Sequence, residues 1–216
     1  STFPAAAKVS YTGNPVRREI RSLRNSASLT DVSGRPLRLL VLGGSLGAEA
    51  LNSILPELIV SAPSGSIQTL HQTGRQQFVR TLQRYQQLGQ DTEKTHRVVA
   101  FIDEMGEAYQ WADIVLSRSG ASTVCEIAVA AKPAIFVPYP FHKDRQQLRN
   151  ANWLHAAGAA EVVEQHNLDV DRLMQVLTRL LTDLGRLREM GLSASKVAIC
   201  DAHTRIADLC LEAAYG

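Results

Sequence analysis

The feature that most constrains this fold is an apolar run that ends in a glycine-serine turn and leads directly into a helical pattern. The run covers residues 37–42 and the turn is Gly43-Gly44-Ser45-Leu46-Gly47. Apolar residues then recur at helical spacing. Such a turn leaves the first backbone N–H groups of the helix unpaired, beside the positive end of the helix dipole. It therefore predicts a seat for a phosphate group.

A second turn of the same kind follows residues 113–117. Arg118-Ser119-Gly120 leads into a helical segment that opens with Ala121-Ser122-Thr123. Together with Ser117, these residues are expected to gather hydroxyl and N–H donors beside a cation. Such a set suits an anion better than an apolar molecule. Two seats in one domain predict a ligand with two phosphates.

The order of the predicted elements indicates the fold class. Strands are predicted at 37–42, 67–72, 97–101, 113–117, 133–137 and 160–163, and helices at 47–61, 75–88, 104–111, 121–131, 144–157, 169–183, 186–192 and 194–214. Strands that alternate with helices in this way predict an α/β, Rossmann-like, doubly wound parallel sheet. Ligands of such sheets bind at the carboxyl ends of the strands, where both turns fall.

Composition narrows the function classes. The 216 residues are 45% hydrophobic, enough for one domain with a real core. A net charge of +2 argues against a nucleic-acid partner. Three cysteines without a CxxC pair fit a reducing compartment better than a disulfide framework. The chain begins at Ser1 rather than Met, and we expect it to be a piece of something longer.

The first turn admits three interpretations. Ser45 can donate to a phosphate, cap its own helix, or act as the nucleophile of a GxSxG elbow. The third interpretation describes a serine hydrolase with Asp113 or Asp144 as the acid and His155 or His166 as the base. That hydrolase alternative leaves the second turn without a role.

Three polar side chains near the strand ends suit sugar hydroxyls. Glu126 is placed in the first turn of its helix, where it either complements the dipole or accepts from two vicinal hydroxyls. Asp144 is predicted to cap the helix that carries Gln146 and Gln147. Two amide side chains at this position can form hydrogen bonds with sugar hydroxyls. The same polar residues would also be found at a helix start that is simply exposed to water, so both interpretations stay open.

No metal site is predicted. Asp169-Val170-Asp171 has the DxD spacing that holds a metal in some sugar-nucleotide enzymes. It opens a predicted helix, however, so capping explains it better. The six histidines show no paired ligand spacing.

Five ordered motifs resemble those of the MurG family of GT-B glycosyltransferases, and the resemblance covers almost the whole chain. The motifs are Gly13-Asn14-Pro15-Val16-Arg17, Gly43-Gly44-Ser45-Leu46-Gly47-Ala48, Phe101-Ile102-Asp103, Ser119-Gly120-Ala121-Ser122-Thr123-Val124-Cys125-Glu126 and His142-Lys143-Asp144-Arg145-Gln146-Gln147. The resemblance implies one half of a GT-B fold, the carboxyl-terminal donor-binding domain. It implies an interdomain connection at 1–36, the donor domain at 37–192 and a terminal helix at 193–216. That helix packs either on the other domain or on this one.

The resemblance also implies a donor site. Its residues are Arg17, Ser45, Phe101, Ile102, Ala121, Ser122, Thr123, Val124, Cys125, Glu126, Gln146 and Gln147. Residues that resemble Ser45 and Thr123 contact the diphosphate in this family. The residue that resembles Ile102 pairs with uracil through its backbone.

Further roles follow from the same resemblance. Phe101 lies beside the uracil, Arg17 contacts the donor and Glu126 binds the ribose. Gln146 and Gln147 resemble the readers of the N-acetylglucosamine hydroxyls. One local departure is Tyr139-Pro140-Phe141, which is one residue longer than the family pattern.

The implied partners are UDP-N-acetylglucosamine as donor and lipid I as acceptor, with no cofactor, no metal and no nucleic acid. The implied reaction is an inverting transfer that makes lipid II for peptidoglycan. The implied location is the cytoplasmic face of the bacterial inner membrane, held peripherally through an amino-terminal domain. That domain is expected to bind the acceptor and supply the general base. This chain alone is expected to bind donor without transferring sugar.

Overall fold

The computed structural model describes residues 9–24, 34–44 and 48–215. The strands in these ranges are β1 (Leu37–Leu42), β2 (Ile67–Gln72), β3 (His96–Val99), β4 (Ile114–Ser117), β5 (Ala134–Phe136) and β6 (Ala160–Val162). All neighbours pair in parallel, in the order β3-β2-β1-β4-β5-β6. This order confirms the predicted Rossmann-like doubly wound sheet.

Helices connect the strands across both faces of the sheet. The described helices are α1 (Arg18–Leu23), α2 (Glu49–Ser61), α3 (Phe78–Gln87), α4 (Met105–Trp111), α5 (Ala121–Val129), α6 (Gln146–Ala156), α7 (Val170–Thr182), α8 (Leu184–Val197) and α9 (Ala202–Tyr215). A short 3₁₀ turn at Gln165–Asn167 follows β6. None of the described helices combines the length and apolar character needed to cross a lipid bilayer.

The predicted bounds of the last two helices were wrong. The predicted break before residue 194 does not exist, because Leu187, Met190 and Ala194 continue one buried face of α8. The helix instead ends before Ala198, whose backbone is extended. The final helix, predicted from residue 194, therefore begins at Ala202. Most of α9 is exposed, and the domain division at 193 stays a prediction.

Alternate residues of β1 enter two separate apolar layers. Leu40 and Leu42 join the layer that also contains residues of α1, α4, α5 and α6. Leu39 and Val41 join the layer formed with α2, α3 and α7. This alternation follows from the two-residue period of a strand and explains why the run is apolar throughout.

The sheet places the beginnings of the two turns side by side. From β1 the chain continues outward to β2 and β3, and from β4 it continues outward to β5 and β6. Leu42 and Ser117 are register partners, so the turns that follow them leave from adjacent positions at the carboxyl edge. This is the topological switch point, where ligands of doubly wound sheets bind.

Helix α1 and the segment that leads into it pack closely against the sheet domain. Val16 and Ile20 are buried in the layer that contains Leu40. Gly13 has a φ of +81°, and a Cβ there would lie 2.8 Å from Cγ2 of Ile199. Only glycine therefore combines this backbone conformation with this close approach.

Candidate functional site

A cleft of about 1180 Å³ opens at the carboxyl edge of the sheet, between the turns that follow β1 and β4. Its volume exceeds the ~300–1,000 Å³ of ordinary small-molecule sites, which fits a large extended ligand. Half of the predicted donor-site residues line it. They are Arg17, Phe101, Ile102, Thr123, Glu126 and Gln147.

The other six predicted residues are not among those that line the cleft. Ser45 is outside the described residues. Val124 is buried in the core. Cys125 is half-buried, and this burial raises the pKa of its thiol. Ala121, Ser122 and Gln146 are exposed and are not part of the cleft lining. The structure therefore brings part of the predicted stretch to the cleft, because helix α5 turns its other residues into the core or outward.

The start of α5 presents unpaired backbone donors to the cleft. Gly120 occupies the N-cap position, and no side chain caps the helix. The first N–H that bonds within the helix belongs to Val124, which donates to the Gly120 carbonyl at 3.0 Å. The three preceding N–H groups have no partner within the helix. Because Gly120 and Thr123 line the cleft, this helix start can hold an anion there.

The start of α2 faces the same cleft. Ala48 is its N-cap residue, again without a side-chain cap. Gly43, Gly44 and Ala48 all line the cleft, and Gly44 has a φ of +74°, which L side chains adopt rarely. Within residues 9–24, 34–44 and 48–215 no side chain caps either helix start, and both helix starts converge on one space, as the two turns predicted.

The predicted cluster of hydroxyl donors forms only in part. Ser117 is fully buried, and Ser119 Oγ donates instead to the Gln147 carbonyl at 2.7 Å. Ser122 Oγ accepts from Nδ2 of Asn14 at 3.1 Å. Of these hydroxyl residues, Thr123 alone lines the cleft. Anion binding at this turn therefore depends on backbone N–H groups rather than on a serine cluster.

Arg118 supplies a cation to the cleft wall. Its guanidinium donates to the carbonyls of Val137 at 2.9 Å and Pro138 at 3.2 Å, and to Oε1 of Gln165 at 2.6 Å. The same group lies 5.7 Å from the ring centroid of Tyr139. Burial lowers the pKa of Arg118. These partners are all neutral, so they orient the positive charge without cancelling it.

Glu126 is held by a pair of side chains from other elements. Arg17 donates to its Oε1 from Nη2 at 3.1 Å and from Nε at 3.3 Å. The buried Tyr109 hydroxyl donates to Oε2 at 3.2 Å. Burial, followed by the Glu126 charge, raises the pKa of Tyr109, which keeps its proton for donation. Placing Glu126 in the first turn of α5 was wrong, because it is the sixth residue of that helix.

The side-chain oxygen of Gln147 already accepts a hydrogen bond within the protein, which fixes the orientation of its amide. The Tyr139 N–H donates to Oε1 of Gln147 at 3.0 Å, which leaves the amide nitrogen to meet a ligand. The predicted N-cap at Asp144 was wrong, since Arg145, with a φ of +51°, occupies the cap position. Asp144 Oδ1 still accepts from the Gln146 N–H at 3.2 Å. The Asp144 carboxylate therefore assists the helix start from one residue further back.

The loop after β3 forms an apolar part of the cleft wall. Phe101 is 45% exposed, whereas Ile102 is buried, and both line the cleft. Arg75 lies 6.0 Å from the centroid of the Phe101 ring. Among the described residues, neither the N–H nor the carbonyl of Ile102 has a backbone partner. One residue thus offers a donor and an acceptor to the cleft.

The structure commits two residues of the alternative hydrolase triad, Asp113 and His155, to other partners. Asp113 lies at the opposite, amino-terminal edge of the sheet, where Arg35 donates to both of its oxygens at 2.7 and 2.8 Å. His155 donates from Nδ1 to the carbonyl of Ala160 at 2.8 Å. Asp113 was therefore a wrong choice for a partner of the first turn.

Asp169 caps α7, as predicted. Its Oδ1 accepts from the Arg172 N–H at 2.7 Å. Within ranges 9–24, 34–44 and 48–215, no three His, Cys, Asp or Glu side chains are grouped closely enough to hold a metal ion.

The predicted site omitted two residues that line the cleft, Gln72 and Gln77, and the buried Tyr109 that contacts Glu126. None of the three belongs to a recognisable motif. Tyr109 had one available signal, since it shares a helical face with Met105 and could have been placed toward the core. The two glutamines could not be placed, because their position depends on how β2 meets β1 and α2.

The fold and cleft together define a doubly wound α/β domain with two helix starts at its switch point. Residues 38–206 match the glycosyltransferase family 28 C-terminal domain, and the chain belongs to this family.

Longer proteins are similar to the whole chain. The chain is 42% identical over 216 residues to a UDP-N-acetylglucosamine--N-acetylmuramyl-(pentapeptide) pyrophosphoryl-undecaprenol N-acetylglucosamine transferase from Stutzerimonas stutzeri strain A1501, covering 100% of this chain and 59% of the relative. A protein of the same name from Halorhodospira halophila is 43% identical, with 99% and 60% covered. The chain thus spans about three fifths of these curated relatives.

A solved structure agrees with both findings. The crystal structure of Acinetobacter baumannii MurG has a TM-score of 0.75 and 35% identity, over 96% of this chain and 57% of that one. The resemblance to the MurG family, first inferred from five motifs, is confirmed.

Proposed function

We propose that this chain is the donor-binding half of an inverting glycosyltransferase that moves N-acetylglucosamine from UDP-N-acetylglucosamine to lipid I. The relatives' names support the reaction. The observation that carries the proposal is that two helix starts, neither capped by a side chain that the structure describes, converge on one cleft. Such an arrangement suits a ligand with two adjacent phosphates.

The diphosphate is the part of the donor that gains charge during transfer. The acceptor C4 hydroxyl attacks the anomeric carbon, the bond to the β-phosphate oxygen breaks, and UDP departs with the bonding electrons. Backbone N–H groups at the two helix starts then stabilise the departing group more than the bound donor. One well-placed donor of this kind contributes ~2.7–4 kcal/mol. Ser45 and Thr123 are proposed to add hydroxyl donors.

Arg118 completes the charge balance. Its guanidinium is partly removed from water and its partners are neutral. A diphosphate in the cleft would supply the missing negative charge. Because the interaction lies in a partly desolvated wall, it would be stronger than a surface ion pair.

The remaining walls match the other parts of the donor. The backbone N–H and carbonyl of Ile102, which have no backbone partner among the described residues, are proposed to donate to and accept from uracil, with the exposed ring of Phe101 beside it. Glu126, oriented by Arg17, is proposed to accept from the ribose hydroxyls. The amide nitrogen of Gln147 is proposed to donate to a sugar hydroxyl.

We propose that acceptor binding, the general base and association with the inner membrane belong to the part of the relatives' length that this chain does not cover. The chain alone is therefore expected to bind UDP and to leave a lipid I analogue unglycosylated. Turnover by the chain alone would contradict this division of labour.

The test is calorimetric titration of the chain with UDP in the presence of EDTA. Binding should persist without divalent ions and should weaken at least about tenfold in a Ser45→Ala, Thr123→Ala double variant. A matched control is Ser61→Ala with Thr182→Ala, since both hydroxyls are exposed and bond within their own helices, away from the cleft. Strict dependence on a divalent ion, or unchanged affinity in the first double variant, would overturn the proposal.

A further inference from the structure

A buried series of hydrogen-bonded polar side chains lies behind the cleft wall beside the first turn. His71 of β2, Asn52 of α2 and Tyr85 of α3 are all buried. Nε2 of His71 lies 3.0 Å from Oδ1 of Asn52, and Nδ1 of His71 lies 3.2 Å from the Tyr85 hydroxyl. Buried polar groups carry a cost unless each is satisfied, so a connected set of this kind has a definite hydrogen-bond direction.

One backbone carbonyl fixes that direction. The Thr73 carbonyl can only accept, so the Asn52 atom 2.9 Å from it must be the amide nitrogen. The Asn52 oxygen then faces Nε2 of His71, which must carry the ring proton. The Tyr85 hydroxyl donates to the other ring nitrogen. Burial lowers the pKa of His71 to about 3, which keeps the ring neutral and in this single tautomer.

This series of hydrogen-bonded side chains ends at a residue that lines the cleft. The second amide hydrogen of Asn52 donates to Oε1 of Gln77 at 2.5 Å. Gln77 therefore uses its oxygen inside the protein, and its amide nitrogen has no acceptor among the residues that the structure describes. Gln77 lines the cleft together with Gly43 and Gly44. Its available group is a hydrogen-bond donor.

The position of Gln77 identifies the ligand group it meets. Asn52 lies in the first turn of α2, where its N–H donates to the Ala48 carbonyl at 2.9 Å. Gln77 is therefore held against the helix start that is proposed to seat a phosphate. An amide donor at that position complements an anion, as the backbone N–H groups do.

We propose that Gln77 is a further ligand-contacting residue, whose amide nitrogen donates to a phosphate oxygen of the nucleoside diphosphate, and that Asn52 and His71 are positioning residues that fix this amide. The inference rests on the proposed function of the cleft. Without Asn52 the Gln77 amide could rotate by half a turn and present its oxygen, which repels a phosphate. The hydrogen bond from Asn52, whose own orientation is fixed by His71 and Thr73, excludes that orientation of the Gln77 amide.

Two substitutions at Gln77 separate ligand contact from structural support. Gln77→Glu keeps an oxygen for Asn52 but presents a second, negative oxygen to the cleft, whereas Gln77→Ala removes both groups. UDP affinity, measured by calorimetry, should fall about tenfold in Gln77→Ala and about a hundredfold in Gln77→Glu. If Gln77 only supports Asn52, the order reverses, and Gln77→Glu binds like the unaltered chain.

A matched control accounts for the added charge. Gln83→Glu introduces the same change at an exposed position of α3, the helix that follows Gln77, where it should leave UDP affinity within about twofold. An equal loss in Gln83→Glu would show that the effect is general electrostatics and would overturn the inference. If the unaltered chain fails to bind UDP, the proposed function fails. If it binds UDP and Gln77→Glu binds equally well, this inference alone fails.

The positioning role has its own test, a double-mutant cycle. His71→Gln should weaken UDP binding when Gln77 is present, because the orientation of Asn52 is no longer enforced. In a Gln77→Ala background, the same substitution should have no further effect. Additive losses would show that His71 acts on the site by general destabilisation and would overturn its positioning role. Circular dichroism at the assay temperature establishes that each variant is folded.

Discussion

Arg17 donates two hydrogen bonds to a single oxygen of Glu126, at 3.1 and 3.3 Å, across 109 residues of sequence. Tyr109 donates to the other oxygen. The carboxylate is therefore oriented before any ligand arrives, and Oε2, which accepts only one of these hydrogen bonds, keeps a further lone pair for a hydroxyl. We expect unaltered chain to bind UDP about tenfold more tightly than 2′-deoxy-UDP, and Glu126→Ala to lose that preference. Calorimetric titration of both ligands measures it.

The deoxy ligand isolates the ribose contact from general effects on the cleft. Glu107→Ala serves as the matched control, because Glu107 is an exposed carboxylate of α4 outside the cleft lining. It should retain the preference for the ribose form. If Glu126→Ala weakens both nucleotides equally and keeps their ratio, the carboxylate does not read the ribose.

The ion pair between Arg35 and Asp113, at the amino-terminal edge of the sheet, should affect the stability of the fold without affecting UDP binding at the carboxyl edge. Arg35 contacts both oxygens of Asp113, and the Arg38 N–H donates to one of them at 2.8 Å. The Asp113 side chain is only 2% exposed. We expect Asp113→Asn to lower the free energy of unfolding in urea by about 2 kcal/mol, because charge-assisted bonds to a buried carboxylate are weakened. UDP affinity of the folded variant should not change, and a large loss of affinity would contradict this separation.

The sequence was sufficient for features that are encoded locally. The apolar run 37–42 and its glycine turn specify strand, turn and helix within about twenty residues, so β1 and the convergence of two helix starts were predictable. Asp169 was also predictable as a cap, because a cap bonds an N–H three residues away. The doubly wound order followed from the alternation of these local units.

Features that depend on packing between distant segments were not predictable in the same way. Nothing near Glu126 in sequence indicates that Tyr109 and Arg17 will meet its two oxygens. The serine hydroxyls of the second turn were predicted to donate to an anion. The Ser119 hydroxyl instead donates to the Gln147 carbonyl of α6, a contact that exists only when that helix packs against the turn. The bounds of α8 depend on a buried face whose partner layer comes from other parts of the chain.

Gly13 should be intolerant of even one added methyl group. Its φ is +81°, and a Cβ would lie 2.8 Å from Cγ2 of Ile199. We expect Gly13→Ala to lower the free energy of unfolding by about 1–3 kcal/mol through backbone strain and overpacking. Because the turn leads to Arg17, the affinity for UDP should fall as well. Gly34→Ala, also at positive φ but with open space around its Cβ, is the control that separates strain from the clash with Ile199.

The buried His71 should make stability depend on pH. Burial lowers its pKa from 6.5 to about 3 in the folded chain, whereas the unfolded chain keeps the ordinary value. Below pH 6.5 the unfolded state therefore binds a proton that the folded state does not, and stability falls as the pH is lowered from 6.5 toward 3. The slope approaches about 1.4 kcal/mol per pH unit for this one group. Above pH 7 the group contributes no slope.

Comparison with His71→Gln isolates that group from the others that titrate in the same range. His96 also has a pKa lowered by burial, and it is present in both chains, so its contribution cancels. Between pH 7 and pH 5 the unaltered chain should lose about 2 kcal/mol more unfolding free energy than His71→Gln, measured by urea titration at each pH. Parallel losses in the two chains would mean that His71 takes up a proton in the folded state. The neutral ring that fixes Asn52 and Gln77 would then not be maintained at low pH.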